Sequence, residues 1–426
     1  MTKARRLPSG RLSRLARLAS VGARTGASLV VGRGAEAAAA HAAEVLGSLR
    51  GLAAKVGQMA SYVDGVVPEA QREAYEAALS ALRAAAPTSS PAAIRGVVED
   101  ELERPIEQLF ADWEDEPFAS ASIGQVHRAR LADGREVAVK VQHPGIDRAV
   151  EADLANASVM QGIVGAVGPK SLETRRIFEE VRARFREELD YALEAERQTT
   201  FRALHAADRH IRVPEVIAER SARRVLTTVM ASGQSLEQVA LLDEPARRAS
   251  AETLWRFVFK GNLVGGMFNA DPHPGNYLFG SDGVITFLDF GCVQPIEGVR
   301  LDRARRLHFA ALAGDEAAFA DRCRELLETR GGAYEDAAVA YSRKCFEPLF
   351  RAPFRIHRQY VAELMDGVRD MKKLMFQKDG SVVALPPGMV FMNRLQFGFY
   401  SVLARLDVEV DYAGVERAFL AEAGLS

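Results

Sequence analysis

Two neighbouring stretches decide the reading: Phe268-Asn269-Ala270-Asp271-Pro272-His273-Pro274-Gly275-Asn276-Tyr277-Leu278-Phe279 and Val284-Ile285-Thr286-Phe287-Leu288-Asp289-Phe290-Gly291. In the first, Asp271 and Asn276 stand five residues apart in a loop stiffened by proline. In the second, a short apolar strand delivers Asp289 into an Asp-Phe-Gly turn. One carboxylate is placed to meet an attacking hydroxyl or water. A carboxamide oxygen and a second carboxylate are the donors that hold Mg²⁺ against phosphate oxygens. Any one of these acids alone reads as a solvated turn residue. The joint spacing, with a lysine in an upstream strand, reverses that.

The length, 426 residues, suggests two to three domains or one large bilobed unit. With 48% hydrophobic residues a sizeable core can be buried, and a net charge of -2 makes no case for nucleic acid. The charge is uneven: residues 1–33 carry Lys3, Arg5, Arg6, Arg11, Arg14, Arg17, Arg24 and Arg33 and no acid. Leucines recur between these arginines from Leu7 to Leu18, so the arm reads equally as an attachment to an anionic membrane surface and as a solvated tail. Three cysteines without metal-ligand spacing fit a reducing, cytoplasmic compartment. No apolar run approaches the ~20 residues of a membrane span, and no secretory h-region is present.

An Ala-rich helical stretch leads into Lys55-Val56-Gly57-Gln58, where Lys55 and Gln58 share a helix face. Pro87-Thr88-Ser89-Ser90-Pro91 is a linker, with Ser90 as N-cap and Pro91 opening a helix to about Leu102. Phe118-Ala119-Ser120-Ala121-Ser122-Ile123-Gly124-Gln125-Val126-His127 then enters a strand, an Asp133-Gly134 turn follows, and Lys140 lies in the second strand of a hairpin. Protein kinases place a small-residue loop and a strand lysine on nucleotide phosphates. Here alanine and serine stand where glycine is usual, which stiffens the loop. Ile146 to Leu204 reads as helical, and kinases pair one helix carboxylate with the strand lysine. Glu187, Glu188, Asp190, Glu194 and Glu196 are candidates among which helical phase does not choose. Val213–Ile217 and Arg224–Met230 read as strands, and a helix from about Glu244 to Gly261, with Trp255, Phe257 and Phe259 in the core, leads to the Asp271 loop. The stripe Phe391, Leu395, Phe399, Val402, Leu403 and Leu406 also reads as core.

In this order the motifs resemble the UbiB/AarF family of atypical protein-kinase-like proteins: the KxGQ of Lys55–Gln58, the Ala-rich loop, the ExD of Glu188-Leu189-Asp190, the Asp271–Asn276 loop and the Asp289 turn. The resemblance implies an α+β, bilobed protein-kinase-like fold with an N-terminal helical extension. Its divisions would be a basic arm (1–33), the extension (34–105), an N-lobe with inserted helices (106–230) and a helical C-lobe (231–426). It implies Asp271 in the catalytic-loop position and Lys140 paired with Glu194. Asn276 and Asp289 would ligate Mg²⁺. ATP or ADP would meet Ala119, Ser120, Ala121, Ser122, Ile123, Val126, Ala138, Lys140 and Met230. Lys55, Gly57 and Gln58 would fold over the site and meet Glu188 and Asp190, in space a protein substrate needs. The implied function is ATP hydrolysis supporting ubiquinone or related isoprenoid-lipid biosynthesis, peripheral on the inner face of a membrane. Anionic or isoprenoid lipid and quinone-biosynthesis proteins would be partners. The alternatives are a small-molecule or lipid phosphotransferase, and a nucleotide-sensing scaffold that binds lipid or protein without turnover. Two departures stand out: Asn269 replaces a supporting histidine, and Val229 replaces a hinge acid, where the adenine contacts are mainly backbone.

Overall fold

The computed structural model describes residues 89–121, 123–151, 182–183, 186–296, 298–329, 331–375 and 389–425. The basic arm, Lys55, Gly57, Gln58 and Ser122 lie outside the described residues. The described chain divides into two compact units. Of the described residues, the first holds 89–121, 123–151, 182–183, 186–192 and Ile217–Thr228, and the second holds Leu193–Val216 and those from 229 on.

In the first unit, helix α1 (Pro91–Leu102) starts where Pro91 permits, because the first helical N–H is unpaired anyway. Ser90 occupies the cap position, with its carbonyl taken by the amides of Ala93 and Ile94, but its hydroxyl makes no cap bond. The helix buries Ile94, Val97 and Val98. A short helix α2 (Ile106–Leu109) follows, then a five-stranded sheet. Strands β1 (Asp112–Trp113), β3 (Gly124–Arg130), β4 (Glu136–Gln142) and β6 (Val225–Val229) run in the order β1-β3-β4-β6, and β2 (Ala119–Ala121) pairs with β3. The small-residue stretch is therefore a strand in its own right rather than a loop ahead of one. The sheet follows period-two logic: Val137, Val139 and Val141 are fully buried, while Ala138 and Lys140 are half-buried on the other face. Register sets Lys140 opposite Val126, and the Asp133-Gly134 turn is made with Gly134 at φ 89°.

Helix α3 (Tyr191–Leu204) begins later than its sequence suggests. Glu188-Leu189-Asp190 forms a turn, and Asp190 Oδ1 accepts from the Ala192 amide at 3.0 Å, the kind of side-chain bond that starts a helix afresh. The expected strand Val213–Ile217 is reduced to a bridge at Val216, where the Ile217 amide donates to the Thr227 carbonyl at 2.8 Å and the Val229 amide to the Glu215 carbonyl at 2.9 Å; β5 is only Ile211–Arg212.

In the second unit β5 pairs parallel with β9 (Ile285–Phe287), which pairs antiparallel with β8 (Tyr277–Phe279). Strand β7 (Met267–Asn269) pairs with β10 (Val293–Pro295). Helix α4 (Leu236–Val239) carries a Ser235/Gln238 capping box, and α5 (Glu244–Leu263) is capped by Asp243, whose Oδ1 accepts from Ala246 N. The helices α6 (Gly298–Leu312), α7 (Glu316–Leu327), α8 (Ala333–Cys345), α9 (Glu347–Phe350), α10 (Arg358–Met375), α11 (Met389–Leu406) and α12 (Tyr412–Glu422) follow among the described residues. Trp255 and Phe257 are core residues, as are Phe399, Val402, Leu403 and Leu406 of the stripe. Glu416 is fully buried and accepts from Trp255 Nε1 at 3.1 Å and His308 Nδ1 at 2.9 Å, joining α5, α6 and α12. Among the described residues no helix is long and apolar enough to cross a membrane.

Candidate active site

In the second unit the antiparallel pair β7/β10, which encloses the β8–β9 pair in sequence, brings the two decisive stretches together. Asn269, the last residue of β7, bridges them with one carboxamide. Its Oδ1 accepts from the Asp271 amide at 3.0 Å, and its Nδ2 donates to the Asp289 carbonyl at 2.7 Å. Asn276 closes the loop, with Nδ2 donating to the Asp271 carbonyl at 3.1 Å and to Asp271 Oδ2 at 3.3 Å. That assignment points the Asn276 oxygen, the only part of the side chain that can ligate a cation, away from Asp271. The Leu288 amide donates to the Asn276 carbonyl at 2.8 Å, which fixes Asp289 relative to the loop.

Asp289 sits at φ 59°, a left-handed conformation that a non-glycine residue holds only when its surroundings impose it. The constraints are visible: Asn269 holds its carbonyl, and its own Oδ1 accepts from Gly291 N at 3.1 Å. Phe290 is fully buried and packs on Phe201 of α3 at 5.0 Å and edge-on to Phe257 of α5 at 6.5 Å. Arg197, one turn before Phe201, donates to the Gly291 carbonyl at 3.2 Å. Glu194, Arg197 and Phe201 share one helix face by their spacing. Glu194 is buried, and its Oε2 would lie 3.4 Å from a Cβ placed on Gly291. Of the five candidate carboxylates, Glu194 is thus the one set against the Asp289 turn; Glu196 is exposed.

In the first unit, Val126, Ala138 and Lys140 share the half-buried face of the sheet, and the Lys140 ammonium stands 4.9 Å over the Tyr191 ring. Ala119 and Ser120 are exposed on β2, Ala121 is half-buried, and the hairpin closes with Ala121 opposite Gly124. Gly124 has no room for a side chain, since a Cβ there would come within 2.2 Å of the Val141 carbonyl oxygen. Ile123 is buried, its carbonyl taken by the His143 amide at 2.9 Å. Met230 follows β6 and is half-buried; Glu188 and Asp190 lie in the turn before α3. The structure thus groups Ala119, Ser120, Ala121, Ile123, Val126, Ala138 and Lys140 in one unit and Glu194, Met230, Asp271, Asn276 and Asp289 in the other.

The family model of the ABC1 atypical kinase-like domain matches residues 81–322, more than half of the chain. The chain belongs to this family. A kinase-like α+β fold follows, and the UbiB/AarF resemblance of the motifs is its sequence-level counterpart. Among curated relatives, the mitochondrial atypical kinase coq-8 of Caenorhabditis elegans is 30% identical over 393 residues, covering 89% of this chain and 50% of that protein. The mitochondrial atypical kinase COQ8B of Rattus norvegicus is 32% identical, covering 71% of this chain and 58% of that protein. The chain thus spans about half the length of these relatives. A solved Mycobacterium tuberculosis structure, the complex of Rv3197 with erythromycin, is 27% identical with TM-score 0.61, covering 88% of this chain and 93% of that one.

Sequence reasoning marks Asn269 only as a departure from a supporting histidine that activity should survive. It misses both bonds of Asn269, to Asp271 and to Asp289, and it misses Arg197 and Phe201 as the groups that tie α3 to Gly291 and Phe290. An arginine and a phenylalanine at helical spacing from Glu194 were the only available signal.

Proposed function

We propose that this ABC1-family chain binds Mg·ATP and hydrolyses it slowly, in support of ubiquinone or related isoprenoid-lipid biosynthesis at a membrane surface. The observation that carries the reading is the bond set through Asn269, which holds the Asp271 loop and the Asp289 turn as one object. Lys140 would hold the nucleotide phosphates, with Glu194 as its partner. Asp271 would accept the proton of the attacking water as oxygen joins the γ-phosphorus and the bond to ADP breaks. The donors present suit magnesium: Asn276 offers a carboxamide oxygen and Asp289 a carboxylate, both hard oxygen ligands, and this ion normally completes its shell with water and phosphate. When bound, it would neutralise phosphate charge. Lys55, Gly57 and Gln58 would cap the site and meet Glu188 and Asp190. The relatives' names as atypical kinases support phosphoryl-transfer chemistry.

The test is phosphate release from Mg·ATP, with and without vesicles containing isoprenoid lipid, for the wild type and Asp271→Asn. Loss of release in the variant, with nucleotide binding retained, is the expected result. Equal release from both would remove Asp271 from the chemistry. Labelled phosphate found on an extractable product rather than in water would convert the reading to a phosphotransferase. Nucleotide binding without any release would convert it to a scaffold.

A further inference from the structure

The back of the phosphate hairpin carries a buried polar chain that the proposed catalysis does not use. On β3, Val126 faces the Lys140 side, while Gln125 and His127 point the other way and are almost wholly buried, at 1% and 0% exposure. Gln125 Oε1 accepts from the Ser89 amide at 2.9 Å, and its Nε2 meets His127 Nε2 at 2.8 Å. His127 Nδ1 meets the Glu114 carbonyl at 2.8 Å, and Trp113 stacks on its ring at 4.9 Å. A carbonyl only accepts, so Nδ1 carries the proton and Nε2 is the acceptor for the Gln125 amide. Every group in the chain is then satisfied by a neutral His127.

Ser89 also reaches the turn from its other side. Its Oγ lies 2.9 Å from His143 Nδ1, and the His143 amide donates to the Ile123 carbonyl at 2.9 Å. One residue therefore holds both Ile123 and Gln125. Among the described residues strand β2 pairs with β3 alone, and Ser120 is registered on Gln125, so the placement of its amides follows from how the start of β3 is held.

We propose that Gln125 is a positioning residue for nucleotide phosphate, holding the β2–β3 hairpin through the chain Ser89–Gln125–His127–Glu114 from the face opposite Lys140. This rests on the nucleotide-binding reading above. A consequence is sensitivity to acid. Protonating His127 Nε2 would set an N–H against the Gln125 amide hydrogens, and turning that amide over would set the same hydrogens against the Ser89 N–H. Burial pushes the His127 imidazole down, outweighing the Glu114 carbonyl and the Asp115 and Glu116 charges that favour its cation. Asp115 keeps its charge because Arg95, itself shared with Glu107, holds its carboxyl below the usual range. A Gln125→Glu variant reverses the logic, since a carboxylate accepts from both Ser89 N–H and a protonated His127.

The test measures the Kd of Mg·ADP from pH 5.5 to 8 for the full chain, Gln125→Glu, Gln125→Met and His127→Phe, with thermal melts taken without nucleotide. Quoting the ratio of Gln125→Glu to wild type at each pH cancels the ionisation of ADP. That ratio is expected to fall about tenfold from pH 8 to pH 5.5, the effect of roughly one unit of differential protonation. Gln125→Met should weaken binding with no such slope. A flat ratio, with Gln125→Met within twofold of wild type, overturns the proposal. If the Gln125 variants fail to fold, an unchanged Kd in His127→Phe, which removes the Nε2 that Gln125 meets and keeps a ring on Trp113, overturns it and a several-fold weakening supports it. A wild-type chain that binds no Mg·ADP at any pH overturns the nucleotide reading and this one with it.

Discussion

At the scale of single residues, Asn269 bridges the Asp271 loop and the Asp289 turn with both ends of one carboxamide. A neutral hydrogen bond is worth about 1 kcal/mol net, so removing two that align the acids should cost about 2–3 kcal/mol of transition-state stabilisation. Asn269→Ala is therefore expected to lower kcat for ATP hydrolysis about 30-fold or more, with a much smaller effect on the KM of ATP. An unchanged kcat would show that the bridge is dispensable. Gly124 is a purely steric case. Its missing Cβ is what lets β3 approach the Val141 carbonyl, since a side chain would come within 2.2 Å of that oxygen. Gly124→Ala should destabilise the chain by about 1–3 kcal/mol, as overpacking does, and the urea midpoint reads it. Neither site announces its partner in the sequence: Asn269 and Gly124 stand inside recognisable motifs, but the carbonyls they meet lie 20 and 17 residues away.

At the scale of elements, α3 is pinned to α5 by a buried ion cluster. Asp208, just past the end of α3, accepts from His205 Nδ1 at 2.8 Å, Arg256 Nε at 2.7 Å and Lys260 Nζ at 2.7 Å. Burial pushes the Asp208 carboxyl up, but these three donors outweigh it and hold it well below the usual carboxylate range. The folded-state value is depressed, so the contribution is complete above about pH 4 and is lost as pH falls below that. Asp208→Asn takes the counter-charge from the buried Lys260 ammonium, while Arg256 keeps Glu422, and should cost about 3–5 kcal/mol at pH 7, with a smaller additional loss in acid than the wild type shows. His205 is pushed down by burial, more than its Asp208 bond pushes it up. The fold thus favours its neutral form, and stability should begin to fall as pH drops through about 6.5, the unfolded value. Urea midpoints from pH 8 down to about pH 2 check both statements; a midpoint flat from pH 7 to pH 5 would contradict the histidine argument. The stack from Phe290 through Phe201 and Phe257 to His205 joins this cluster to the Asp289 turn.

At the scale of the whole molecule, nucleotide should act as a stabiliser. A ligand at 100 times its Kd adds about 2.7 kcal/mol to the folded state. Mg·ADP is therefore expected to raise the melting temperature of the wild type, and Lys140→Ala and Asp289→Asn should each largely abolish the rise. A full shift in both variants would place nucleotide elsewhere. Removing residues 1–33 should weaken binding to anionic vesicles, and undiminished binding would take the basic arm out of the account. The sequence alone determined what depends on a few consecutive residues. The five-residue spacing of Asp271 and Asn276, the alternation around Lys140, the Pro91 helix start and the Asp133-Gly134 turn follow from local sterics and period. Tertiary structure alone decided which of five carboxylates lies against Gly291, that Glu188–Asp190 turns instead of continuing a helix, and that Gln125 and His127 form a chain from Ser89 to Glu114. Those outcomes depend on burial and on partners distant along the chain, as with Arg197 and Gly291, 94 residues apart, and a local pattern carries no record of them.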